Sequence, residues 1–127
     1  MARVALMDAQ IALYTYAKST STKLMPVPTF EFVCDGLRDP MARPDLRMLS
    51  GSHPAVQEYL REDPRVLAII HASRMLADEY VKVNKGGWLS LGYRDYHERW
   101  ISRGVAELVA NALSPDFKVT VVIGTTV

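Results

Sequence analysis

The last third of the chain constrains the fold more than any other part. Phe117-Lys-Val-Thr-Val-Val-Ile123 is a near-continuous apolar run of strand length. Ahead of it Ile101, Val105, Leu108, Val109 and Ala112 recur at helical spacing, and Ser114-Pro115-Asp116 ends that helix. Ahead of the helix, Trp88-Leu-Ser-Leu91 reads as a short buried strand, with Gly92 as the point where the chain turns. Strand, helix and strand in this order predict a right-handed crossover between parallel strands.

The rest of the chain supplies elements for the same sheet. Gln10 to Ala17 contains Ile-Ala-Leu-Tyr-Thr-Tyr, residues that favour a strand, although helix formers between Ala2 and Ala12 compete. Ser19 to Thr22, Pro26 and Pro28 mark a loop, and Thr29-Phe-Glu-Phe-Val-Cys34 is a second strand. Asp35 to Gly51 holds Gly36, Pro40, Pro44 and Gly51, too many breakers for a long helix, and long ordered loops often carry function. Pro54 begins a helix with Val56, Tyr59 and Leu60 as apolar positions. Asp63-Pro64 then offers a capping aspartate followed by proline at the first helical position. This second helix is expected from Pro64 to about Val83, with Val66, Ile69, Ile70, Leu76, Ala77 and Tyr80 on its apolar face, and Asn84-Lys-Gly-Gly87 as its end.

The expected architecture is α/β: a single open sheet of about four strands, mostly parallel, flanked by about three helices, in one domain over residues 1–127. Ligands of such sheets bind outside the carboxyl ends of the strands. The loops after the first three strands therefore place Lys18 to Lys23, Asp35 to Arg47 and Gly92 to Arg103 together as the expected site.

That site is rich in cations, which makes the charge balance matter. The formal net charge is only +1, so attraction for phosphate or nucleic acid has to come from a local patch. Arg94, His97, Arg99, Ser102 and Arg103 gather around the start of the last helix. Asp95 and Glu98 have the spacing of a capping box, in which case the Asp95 carboxylate fills part of the positive helix end. If the helix instead begins near Trp100 or Ser102, then Ser102, Arg103 and backbone N–H groups are free to hold a phosphate. In the long loop, Arg38, Arg43 and Arg47 can clamp an oxyanion bidentately or tie the loop down through Asp35, Asp39 and Asp45.

His53, His71 and His97 lack a metal-site arrangement; His71 reads as a core-edge residue and His53 as part of a helix entry. Cys34, the single cysteine, reads as a small buried hydrophobe rather than a nucleophile and permits no internal disulfide. No glycine fingerprint or nucleophile elbow implies a cofactor or a serine triad, and no apolar run is long enough to span a bilayer. A cytoplasmic location without membrane attachment is expected.

Several stretches resemble the RapZ C-terminal domain family: Phe32-Val-Cys-Asp-Gly-Leu-Arg-Asp-Pro40, Pro44-Asp-Leu-Arg47, Leu49-Ser-Gly51, Pro54-Ala-Val-Gln-Glu-Tyr-Leu60, Leu89-Ser-Leu-Gly92 and Ser102-Arg-Gly-Val-Ala-Glu-Leu108. The resemblance runs in order over roughly residues 10 to 123. It implies a small α/β domain that binds a phosphorylated amino sugar and, in some members, small RNA presented to a ribonuclease. It also implies a homo-oligomer, and a site between the turn after the second strand and the loop after the third.

This chain departs from that pattern. Val33 and Asp35 replace the family's aspartate and arginine, and Gly92-Tyr-Arg-Asp-Tyr-His-Glu-Arg-Trp-Ile-Ser102 replaces a glycine-rich loop. Ser102 stands where the family has histidine and Gly104 where it has serine, while Arg103 is kept. The nucleotide-binding domain that usually lies upstream is absent from this sequence. The expected function is a regulatory module that binds a phosphorylated metabolite or nucleotide through Arg38, Arg43, Arg94, His97, Arg99, Ser102 and Arg103. The alternatives are an RNA- or protein-interaction module with a vestigial pocket, using Trp88, Tyr93, Tyr96 and Trp100, and a phosphosugar or phosphoryl-transfer enzyme. Trp88 itself reads as core or dimer interface. Host and phage origins are both compatible with such a domain.

Overall fold

The structure, a computed structural model, describes residues 10–17, 28–83, 88–95 and 101–123. Four strands form one open sheet: β1 (Gln10–Ala17), β2 (Phe30–Val33), β3 (Trp88–Asp95) and β4 (Lys118–Ile123). Their order is β2-β3-β1-β4 and every pair is parallel. Three described helices accompany it: α1 (Pro54–Arg61), α2 (Pro64–Val83) and α3 (Ile101–Leu113), with a 3₁₀ turn at Pro40–Ala42. The fold is thus the open α/β sheet that the strand–helix–strand pattern implies.

Register explains why β1 is apolar along its length. Leu13 lies opposite Leu91 on one side and Val121 on the other. Ile11 and Leu13 join Leu89, Leu91 and Tyr93 in the main core, with Val56 and Leu60 of α1 and Val105, Leu108, Val109 and Leu113 of α3. The alternate residues Ala12, Tyr14 and Tyr16 are also buried and form a second, smaller cluster. A strand covered on both faces has no polar alternation to display, as parallel sheets require. Each fully buried Leu or Val side chain contributes about 1.5–3 kcal/mol.

Local chemistry sets the helix starts. His53 precedes α1, and its Nδ1 accepts the Ala55 N–H at 3.1 Å. The Asp63 carboxylate accepts the Arg65 N–H at 2.9 Å and the Arg38 N–H at 3.0 Å, so one buried side chain starts α2 and anchors the long loop. On α2, Val66 and Ala77 are fully buried and Ile69, Ile70, Leu76 and Tyr80 pack against the core. His71 is exposed, not at the core edge. The expected helix end at Asn84–Gly87 lies outside the described residues.

One expectation is overturned with consequences for the site. The chain does not turn at Gly92; β3 continues through Tyr93 and Arg94 to Asp95. Gly92 is there because a Cβ would overlap the Tyr16 hydroxyl and come within 2.8 Å of Pro28 Cγ. A glycine inside a strand marks a close approach as often as a break. Trp88 is also not core: at the start of β3 it is 56% exposed.

Candidate functional site

Carrying β3 past Gly92 brings Arg94 and Asp95 to its carboxyl end. Asp95 is 3% exposed and its carboxylate accepts the Ser102 N–H at 2.8 Å. Ser102 is the second described residue of α3, and the carboxylate that meets its N–H lies seven residues upstream. The Asp95 carboxylate accepts an N–H of the first described turn of this helix and so faces its positive end. Residues 96–100, on which the choice between the two helix starts rests, lie outside the described residues. Glu98, the other half of the expected capping box, lies outside the described residues.

Around this cap the polar accounting does not close. Ser102 Oγ, Arg103 Nε and Arg94 Nε are buried and have no hydrogen-bond partner among the described residues. Ser102 is fully buried. Buried donors without partners cost roughly 1–3 kcal/mol each. Successive strand residues alternate in direction, so Arg94 leaves β3 on the face opposite Asp95, toward Tyr16 and Glu31, while Ser102 and Arg103 stand on α3.

Arg94 also belongs to a polar group spanning three strands. Its Nη1 lies 3.6 Å from Glu31 Oε1 of β2, and the Tyr16 hydroxyl of β1 donates to the other Glu31 oxygen. Burial, then the Glu31 carboxylate, pushes the Tyr16 hydroxyl well above its usual range, so it stays a proton donor. Tyr16 and Glu31 were not among the sequence candidates. Their contact depends on strand order, and the one available signal was Gly92, whose missing side chain makes room for the Tyr16 hydroxyl.

Cys34 follows β2 and is fully buried; its N–H donates to the Arg94 carbonyl at 2.6 Å. Burial, then Asp95 and Asp35, raises its thiol far above the ordinary value. It is the inert buried thiol expected.

The loop arginines are arranged differently. Arg38 Nη1 donates to Glu62 at 2.7 Å, and its guanidinium lies 4.4 Å from the centre of the Tyr59 ring. Arg43 makes a bidentate pair with Asp45, at 3.0 and 2.6 Å, and lies 5.3 Å from the same ring. That hydrogen-bonded pairing raises the Arg43 pKa and lowers that of Asp45. Asp39 accepts the Met41 N–H and so starts the 3₁₀ turn. Arg47 is exposed.

Of the seven sequence candidates, Ser102 and Arg103 are adjacent on α3, and the Asp95 hydrogen bond ties that turn to the end of β3 beside Arg94. Arg38 and Arg43 share the Tyr59 ring instead. His97 and Arg99 lie outside the described residues, as does Lys18 to Lys23. Among the described residues, no group of three or more His, Cys, Asp or Glu is arranged to hold a metal ion, and no helix is long and apolar enough to cross a membrane.

No protein-family model matches this sequence, and no curated protein matches it.

Proposed function

We propose that this chain is a ligand-binding regulatory module resembling the RapZ C-terminal domain, and that it takes a phosphorylated metabolite or nucleotide at the junction of β3 and α3. The observation that carries this reading is the pair of buried polar atoms on α3 without a partner among the described residues, Ser102 Oγ and Arg103 Nε, with Arg94 Nε, likewise unpartnered, at the end of β3. A phosphate offers several acceptor oxygens and a compensating charge to such donors. Asp95 already accepts the Ser102 N–H, so the helix end is not itself the anion site; the arginines and the serine hydroxyl are. The strand order supports the place. The chain moves one way across the sheet from β1 to β2 and the other way from β2 to β3 and β4, and in open α/β sheets such reversals locate ligands at the strands' carboxyl ends.

Binding rather than catalysis is the better reading. The buried carboxylate nearest the site, Asp95, is engaged as a cap, and Cys34 is a raised, buried thiol, so neither is a ready base or nucleophile. Trp88 favours a second reading: its exposed ring can stack on a nucleobase or meet a partner protein.

The test is thermal stabilisation by sugar phosphates, nucleotides and short RNA at low and physiological salt. A saturable shift with a phosphorylated small molecule is expected, and Arg103→Ala should remove most of it. Shifts that Arg103→Ala leaves untouched sink the assignment of that residue. An RNA-only response that falls steeply with salt supports the nucleic-acid reading instead.

A further inference from the structure

We infer that the His53 cap of α1 is a pH-sensitive joint, through which acid loosens the α1–α3 contact beside Ser102 and Arg103. His53 alone answers the open N–H groups of the first turn of α1. Its carbonyl accepts the Val56 and Gln57 N–H groups, both at 3.0 Å, and its imidazole Nδ1 accepts the Ala55 N–H at 3.1 Å. Pro54, the first helical residue, has no N–H to offer. The ring accepts only while Nδ1 keeps its lone pair, so this cap requires the uncharged imidazole. A protonated ring turns an N–H toward the Ala55 N–H and sets a positive charge at the positive end of the helix. Asparagine or serine would keep its acceptor at every pH; histidine is the one side chain whose ordinary titration falls between about pH 5 and 8.

The cap matters because α1 is short and its first turn belongs to the core. Eight residues make only about two turns, which hold through capping and packing rather than by propensity. Val56, in the first turn, is fully buried in the same core as Val105 and Val109 of α3. Just ahead of the cap, the His53 N–H donates to the Ser50 carbonyl at 3.0 Å, closing a turn that holds the buried Gly51. That turn is pressed against α3: a Cβ on Gly104 would come within 3.2 Å of the Gly51 carbonyl and would overlap Leu60 Cδ1. Gly104 directly follows Ser102 and Arg103. In packing this close, a shift at the entry of α1 passes to the turn that carries them.

The charges around α1 leave the ring to its backbone partner. α1 packs against α2, α3 and the 3₁₀ turn. Arg43 pairs with Asp45, Arg38 with Glu62, Arg65 with Asp63 and, on α1 itself, Arg61 with Glu58. Asp39 accepts the Met41 N–H. Arg47 ahead of the cap, and Arg103 and Glu107 on α3, are the other charged groups nearby in the chain or across the Gly51–Gly104 contact. Among the described residues, the group bonded to the imidazole is the Ala55 N–H.

The experiment is amide exchange of the full chain by NMR, without ligand, at about pH 8 and about pH 5.5, corrected for the intrinsic effect of pH. Protection of the Ala55 N–H should fall about fivefold on acidification, the usual worth of a cap, in step with the His53 ring signals. Protection of the Ser102 N–H, which Asp95 accepts, should fall over the same range. His53→Asn keeps an acceptor and gains no proton, so both protections should stay constant in it. An Ala55 protection that does not change, or that falls as much in His53→Asn, overturns the cap. A loss at Ala55 with none at Ser102 overturns the joint. The last step rests on the proposed anion site and uses inorganic sulfate, whose charge is constant over this range. Its affinity should fall in acid in the parent and not in His53→Asn. A protein that binds no sulfate, sugar phosphate or nucleotide at either pH overturns the site reading, while the amide result still decides the joint.

Discussion

The arginines of the loop before α1 and those at the β3–α3 junction have the same composition and opposite circumstances. Arg38 and Arg43 sit at the surface with carboxylate partners and the Tyr59 ring between them. Arg94 and Arg103 each leave a buried Nε–H with no partner among the described residues. In the first arrangement each of these two guanidinium groups meets a carboxylate of its own chain. The second has donors left over, and water or a ligand has to answer them. Counting basic residues cannot distinguish the two; tracing each donor to its acceptor does.

The largest effect should come from the loop region. Asp63 receives two backbone N–H groups and the Arg65 guanidinium, so Asp63→Ala should cost about 2 kcal/mol in denaturant unfolding while leaving phosphate affinity unchanged. A large loss of ligand affinity in that variant would erase the contrast between the regions.

Arg94→Met should do the reverse. Removing a charge-assisted donor should weaken phosphate binding about tenfold, with little change in the stability of the free protein, because an unsatisfied buried group leaves with it. A clear loss of stability without ligand would mean that the Glu31 pair, not a ligand, justifies Arg94.

Acid should act on the loop as well. The Arg65 guanidinium, then backbone N–H groups, hold the Asp63 carboxyl at about 2, below its ordinary value of 3.8. A depressed folded-state pKa gives stability that is complete above the ordinary value and is lost as pH falls toward about 2. Melting temperature followed across that window should fall less steeply in Asp63→Asn than in the parent. The smallest effect belongs to Arg43→Ala, whose exposed ion pair should leave both melting temperature and ligand shift unchanged.

Much of the scaffold was legible from residue pattern. β1 from Gln10 to Ala17 and α2 from Pro64 to Val83 fall where the strand composition and the Asp-Pro start put them. Gly92 misled because one residue type serves both turns and close approaches, and only the position of Tyr16 decides between them. Gly104 is a similar case: a Cβ would overlap Leu60 Cδ1 and come within 3.2 Å of the Gly51 carbonyl, so α1 and α3 meet through a residue that the resemblance would make serine.

The candidate site was half legible. Arg94, Ser102 and Arg103 follow from clustered basic and hydroxyl residues near a helix start. The Tyr16–Glu31 contact does not, because β1 and β2 are separated by β3 and no local spacing encodes that.

The place of β1 within the sheet governs how the chain can fold. It is the earliest described strand, yet its two neighbours, β3 and β4, are the last two. Few of its contacts are local, and closing such long loops before any pairing rewards them makes folding slow. During synthesis β1 has neither neighbour until β3 emerges, and its other side stays open until Lys118–Ile123 leaves the ribosome. Its apolar residues then depend on transient cover or on chaperones, and a chain cut short before Lys118 would retain an unfinished edge on a strand that the folded protein buries on both faces.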